Sequence, residues 1–397
     1  MIRSSVVWSL FAVLSLLCLS NCDPLTKHEN GNRISECGKS STRKVFRGEQ
    51  IAQEKAPWSV FILYHNQAGN SATVCTGTVV SSRHILTATH CFASLSNNGW
   101  LEATKELDKK NCKDGHYILE DEALLSKMFI HSNGKPVARS PERVTLINGC
   151  EKIALKPKQS KQYEYEDYAI IELYEDLDLS AIKMACVPHD ATPIAVDTAL
   201  EYNGFGLNPA DGDKKDTGTL RHESIKVTDS SNYGLNQQRL FLAVDTTKKT
   251  IACQGDSGGG AVAEMGGKVT VVGVLSQTNC EKNNGVGSDP MELYSSVGYY
   301  DNINCKIMGV CDDVNYTAHH DEGYVRKPKP KRVFTTPAPK LVVRDQNGRI
   351  LSDEEAQKVR EEVENGGGSG GSYYSKSGNS KKYTITIIVM GVLFFVF

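Results

Sequence analysis

The stretch Cys253-Gln-Gly-Asp-Ser-Gly-Gly259 sets one serine, Ser257, in a turn made almost wholly of glycine and small polar residues. Such a turn exposes a hydroxyl and aims neighbouring backbone N–H groups at one point, as a serine nucleophile requires. Alone it is only a turn. Working outward, Val269-Thr-Val-Val-Gly-Val-Leu275 follows it, and Trp58-Ser-Val-Phe-Ile-Leu-Tyr64, His84-Ile-Leu-Thr87 and Tyr168-Ala-Ile-Ile-Glu-Leu173 precede it. Short β-branched runs, separated by Gly, Asn, Asp and Pro clusters, predict an all-β sandwich or barrel over about 45–311. No repeat of solenoid or propeller period is present.

Two further motifs complete a constellation. Thr87-Ala-Thr-His-Cys91 places a histidine just after a strand, and Glu166-Asp-Tyr-Ala-Ile-Ile171 places an aspartate at the head of an apolar one. A serine hydroxyl is a poor nucleophile near neutral pH and needs a base within hydrogen-bond reach. His90 can take its proton and return it to a leaving amine, while Asp167 holds the imidazole tautomer and stabilises the imidazolium.

The order His90, Asp167, Ser257, and the roughly 90 residues between the last two, resemble the chymotrypsin-like (trypsin-like) serine peptidases over about Val45 to Cys311. The resemblance implies two packed six-stranded Greek-key β-barrels, a short C-terminal helix and hydrolysis of peptide bonds in a protein or peptide substrate. It implies an oxyanion hole from the N–H groups of Gly255 and Ser257, with Gly255 leaving room for the substrate carbonyl. It also implies a zymogen. An activating protease would cleave after Lys44, within Arg43-Lys44, and the freed Val45 of Val45-Phe-Arg-Gly48 would pair with Asp256; Arg47 stands where the family usually has glycine.

The resemblance further implies bridges Cys75–Cys91, Cys253–Cys280 and Cys37–Cys186. Position suggests Cys112–Cys150, in an added stretch between His90 and Asp167, and Cys305–Cys311 in a small terminal loop. The specificity pocket is expected from Ile251, Ser276, Thr278 and Met291. Ile251 stands where a basic-specific member carries aspartate, so cleavage after Lys or Arg is not expected; small or medium apolar side chains are. A competing reading is a non-catalytic binding or adhesion module on the same scaffold. An ester or lipid hydrolase would use the same triad in a different order and fold.

Composition narrows the classes. The 397 residues are 40% hydrophobic and 23% charged with net charge −2, which is globular and carries no basic excess for nucleic acid. Twelve cysteines argue against a cytosolic enzyme. No metal motif and no cofactor are called for.

Residues 1–21, with Arg3 ahead of the apolar run Val6 to Leu19, are expected to be a signal peptide, and 22–44 a pro-segment. Residues 312–382 carry Arg326-Lys-Pro-Lys-Pro-Lys-Arg332, a short charged helix up to Glu364 and the Gly-Ser run 366–372. They are expected to form a disordered stalk that holds the domain off a surface. Asn315 begins a glycosylation sequon. The apolar tail 383–397 is short for a spanning helix. It is expected to act as a GPI signal, with Ser369 as attachment point, or as a short transmembrane anchor. The expected location is extracellular, at the cell surface or secreted.

Overall fold

The computed structural model describes residues 24–39, 53–65, 72–96, 99–102, 105–132, 135–139, 141–150, 166–207, 218–233, 235–280 and 290–312, together with two strands at 340–345 and 383–388. The expected signal peptide, Lys44, Val45, Asn315, the stalk helix and Ser369 lie outside the described residues.

The amino-terminal half holds β1 (Ser59–His65), β2 (Ala72–Val79), β3 (His84–Thr87), β4 (Ser94–Ser96), β5 (Gly99–Glu102), β6 (Lys105–Glu106), β7 (Cys112–Lys113), β8 (His116–Leu119), β9 (Met128–Ser132), β10 (Lys135–Arg139), β11 (Arg143–Leu146) and β12 (Ala169–Glu172). Nine of them form one sheet in the order β10-β9-β1-β2-β3-β12-β11-β8-β7, and β4-β5-β6 form a small separate sheet. This differs from the six-stranded barrel expected for this half. The stretch between His90 and Asp167 supplies β4 through β11, of which β7 to β11 join the nine-stranded sheet. β3, β9 and β11 are buried along their whole length, so their polar members, among them His84, His131 and Arg143, are buried with the apolar ones.

The carboxyl-terminal half holds β13 (Ala199–Gly204), β14 (Arg221–Thr228), β15 (Leu240–Val244), β16 (Gly260–Met265), β17 (Lys268–Thr278) and β18 (Glu292–Ser296). These close into a barrel in the order β13-β14-β15-β18-β17-β16. Closure leaves no open edge, and its interior is filled by Leu200, Tyr202, Ile225, Phe241, Val272 and Tyr294. Register slips by one residue between Leu275 and Gln277 where β17 meets β18. Such a bulge re-aims every side chain beyond it.

Residues 24–39 are not a loose leader. Helix α1 (Lys27–Glu36) opens on a capping box in which the Thr26 hydroxyl accepts the Glu29 N–H and the Glu29 carboxylate accepts the Thr26 N–H. The segment is stitched to the body along its length. The Leu25 N–H donates to Met308 O, and the Gly38 N–H to Met184 O. The Asn30 and Arg33 side chains both donate to Cys311 O, capping the residues after helix α2 (Asp301–Met308). Arg83, fully buried, grips Glu29 with two parallel hydrogen bonds of 3.0 Å. Leu25 and Cys37 lie in the same core cluster as Ile307 and Met308.

The disulfides join Cys37–Cys186, Cys75–Cys91, Cys112–Cys150, Cys253–Cys280 and Cys305–Cys311. The first closes a span of 149 residues, worth up to ~5 kcal/mol on a chain-entropy argument.

Beyond residue 312, β19 (Lys340–Asp345) pairs antiparallel with β20 (Tyr383–Ile388). Part of the stretch read as unstructured stalk, and the head of the apolar tail, are therefore paired strands. Their β-branched content suits that pairing. Among the described residues no helix is long and apolar enough to cross a membrane.

Candidate active site

His90 is the middle residue of the short helical turn Thr89–Cys91 after β3, and Asp167 lies two residues before β12, the strand that pairs with β3. Pairing β3 with β12 therefore brings the two together although 77 residues separate them. The His90 Nδ1–H donates to Asp167 Oδ2 at 2.7 Å, and the His90 backbone N–H to Asp167 Oδ1 at 3.0 Å. Ser276 Oγ donates to Asp167 Oδ2 at 2.6 Å, and Ser295 Oγ to the Asp167 carbonyl at 3.0 Å. The carboxyl is 2% exposed, and two of the three hydrogen bonds it accepts come from His90. Burial opposes charge on His90, but the Asp167 charge and hydrogen bond outweigh it and hold the imidazole above its ordinary value.

The turn that carries Ser257 is fastened to the strands that lead to His90, across the seam between the halves. The Thr76 N–H of β2 donates to Ser257 O at 2.8 Å, and Thr76 Oγ1 donates to Gly255 O at 3.0 Å. Gly258 packs on Thr87 and Ala88, two residues before His90. Among the described residues Ser257 Oγ makes no hydrogen bond to His90; the base–orienter bond is formed and the nucleophile–base bond is open. Gly255 has φ of +98°, and a Cβ there would meet Gly206 Cα at 3.1 Å and Val74 at 3.2 Å. Only glycine holds that backbone without strain. Among the described residues the N–H groups of Gly255 and Ser257 donate to no protein group.

Asp256, between them, is buried. Its carboxylate accepts the Gly206 and Cys253 N–H groups, each at 2.7 Å. Burial pushes it up to about 6, against the pull of those bonds and of Arg221. A Cβ on Gly204 or Gly206 would run into this carboxylate, so the glycines of Asn203-Gly-Phe-Gly206 make its room.

Of the expected pocket residues, Ser276 serves Asp167 and Thr278 faces the loop before Ser257, donating to Ala252 O at 2.7 Å. Ile251 is half-buried just before Ala252. Met291 does not face this loop. It packs beside Leu240, Leu242 and Leu293 on the other side of the sheet, and Glu292 takes the inward position, with Oε1 accepting the Ala252 N–H at 2.7 Å. Successive residues on a strand face opposite ways, so an alignment counted one residue short inverts the assignment. Sequence reading also missed Thr76 and Ser295, which hold the turn and the aspartate; neither sits in a motif. Among the described residues no cluster of His, Cys, Asp or Glu is arranged to hold a metal ion.

An all-β scaffold with a closed six-stranded barrel, an aspartate-oriented histidine and a glycine-framed serine at the seam between its halves is of the chymotrypsin-like serine protease class. The chain belongs to the nematode trypsin-6-like family, whose model matches residues 7–311. It is 25% identical over 255 residues to the CLIP domain-containing serine protease B4 of Anopheles gambiae, covering 60% of this chain and 64% of that protein. It is 24% identical over 262 residues to serine protease Hayan of Drosophila melanogaster, covering 62% and 36%. It is 24% identical over 253 residues to trypsin-like protease try-5 of Caenorhabditis elegans, covering 56% and 75%. The chain thus spans less than two thirds of the first two relatives. Among solved structures, the scabies mite inactivated protease paralogue S-I1 matches at 20% identity and TM-score 0.44, covering 66% of this chain and 98% of that one. The five disulfides fit an extracellular protein.

Proposed function

We propose that the chain is a serine endopeptidase, made as a zymogen and either secreted or held at the cell surface by its terminal tail. The observation that carries this is Asp167, a buried carboxylate whose two oxygens take three hydrogen bonds, two of them from His90. Structural stability alone has no use for so exact an aim on a partly exposed imidazole.

In the proposed reaction His90 Nε2 takes the Ser257 Oγ proton as Oγ bonds to the scissile carbonyl carbon. The carbonyl electrons move to oxygen, which the Gly255 and Ser257 N–H groups receive; losing one such donor costs ~3 kcal/mol. The C–N bond then breaks, and His90 gives its proton to the departing amine. Water, deprotonated by His90, cleaves the ester and restores Ser257.

Cleavage after Lys44 supplies the activation step. Asp256 is buried and held near 6, so a new amino group from Val45 beside it relieves an unfavourable charge and steadies the Gly255–Ser257 turn. Cleavage after Lys or Arg is not expected, since Ile251 offers no charge. The competing reading, a non-catalytic binding module, is favoured by the open Ser257–His90 contact.

A fluorophosphonate probe separates the two. Labelling that requires cleavage after Lys44 and vanishes in Ser257→Ala supports the peptidase. No labelling of the cleaved protein by small or large probes overturns it.

A further inference from the structure

Beside Ser257, residues 251–257 and the end of β17, Ser276 to Thr278, run next to each other, tied by Cys253–Cys280 and by the Thr278–Ala252 hydrogen bond. On the serine-peptidase reading, the side chain of the residue whose carbonyl meets Ser257 would enter the side-chain slot between these two segments. Thr278 Oγ1 donates to Ala252 O at 2.7 Å, directly from one wall to the other. A direct hydrogen bond leaves no gap for an intervening side chain.

Glu292 fills the space behind that bridge. It is paired opposite Thr278 in the β17–β18 ladder and is 1% exposed. Its Oε1 accepts the Ala252 N–H at 2.7 Å, and its Oε2 accepts the Tyr294 hydroxyl at 2.6 Å. Ala252 is thus held by both its N–H and its carbonyl. Buried Glu223, from β14, lies against Glu292 and accepts the Thr250 hydroxyl at 2.9 Å. Burial, and the charge of each beside the other, hold Glu223 well above the ordinary carboxyl range. An open acid at the end of such a slot would recruit a basic side chain. Here both oxygens of Glu292 already have donors, a second carboxyl crowds it, and the Thr278–Ala252 bond bars the way in.

We propose that Glu292 and Thr278 seal the side-chain slot and restrict the chain to substrates with glycine or alanine on the acyl side of the scissile bond. This rests on the serine-peptidase reading of Ser257.

The test uses the full chain cleaved after Lys44 and peptide phosphonate probes that differ only in the residue next to phosphorus. Glycine and alanine probes should label the wild type at least about 10-fold faster than leucine, phenylalanine or lysine probes. Thr278→Gly/Glu292→Gly should raise the leucine and phenylalanine rates relative to alanine by about 10-fold or more. The milder Thr278→Ala, which keeps Glu292, should move in the same direction by less. Benzamidine and indole binding, followed by NMR, reads the slot without catalysis: neither should saturate the wild type, and indole should saturate the double variant. Fastest labelling by the lysine probe, or saturable benzamidine binding to the wild type, overturns the proposal by showing an open acidic slot. If no probe labels either protein while indole binds only the variant, the sealed slot stands and the peptidase reading falls.

Discussion

Substituting Glu29 by Gln tests whether residues 24–39 are a working part of the domain. Burial raises the Glu29 carboxyl, but the Arg83 guanidinium and the Thr26 backbone overcome it and hold the group down, from 4.5 to about 2. That gap corresponds to roughly 3.4 kcal/mol at ~1.36 kcal/mol per tenfold. The carboxylate is 30% exposed and Asp176 stands 3.5 Å from the same guanidinium, so screening and the second acid reduce this to ~2 kcal/mol. Gln can keep the capping box, which accepts either residue, but it removes the charge and one of the two Arg83 hydrogen bonds, since only one of its terminal atoms is an acceptor. At pH 7 the variant should melt about 4–8 °C lower, taking ~2–4 °C per kcal/mol for a domain of this size.

The sign of the pH effect is set by a depressed carboxyl. Its stabilisation is complete above about 4.5, the unfolded value, and is lost as pH falls toward about 2. The wild-type advantage at pH 3 should therefore shrink to roughly half or less of its size at pH 7. Paired thermal melts at the two pH values, followed by circular dichroism, measure it. A variant within about 0.5 kcal/mol of wild type at pH 7, or a gap that does not shrink on acidification, refutes the role assigned to the Arg83–Glu29 pair.

Asp167→Asn should lower probe labelling of Ser257 by about 10³-fold or more, because the imidazole loses its orienting charge. The same change should drop the His90 titration, read by NMR, so that the basic form persists to lower pH than in the wild type, where the raised value removes it sooner. Gly255→Ala should abolish labelling and destabilise the domain by ~1–2 kcal/mol in denaturant melts, since φ of +98° and the 3.1 Å approach to Gly206 both resist a side chain. A protein cleaved after Lys44 should run as one band without reductant and two with it, through Cys37–Cys186; release of the small fragment without reductant would refute that linkage.

Local chemistry was legible without the fold. The order of His90, Asp167 and Ser257, the small residues around the serine and the strand-forming runs are short-range signals, and they identify the class of scaffold. The capping signal Thr26-Lys-His-Glu29 was also on the page, and reading it would have placed α1. What the chain order could not decide was which side of a strand each residue faces once registers are set. Glu292 shares a face with Tyr294 and stands against Ala252, Met291 packs with Leu293 instead, and a one-residue slip between Leu275 and Gln277 sets Thr278 opposite Glu292. Nor could it show that Arg83 would find Glu29 across 54 residues, or that nine strands of the first half would join one sheet. Propensity and periodicity act over a few residues. Facing, pairing and the sharing of a buried charge depend on which distant segments arrive side by side, and only the packed structure settles that.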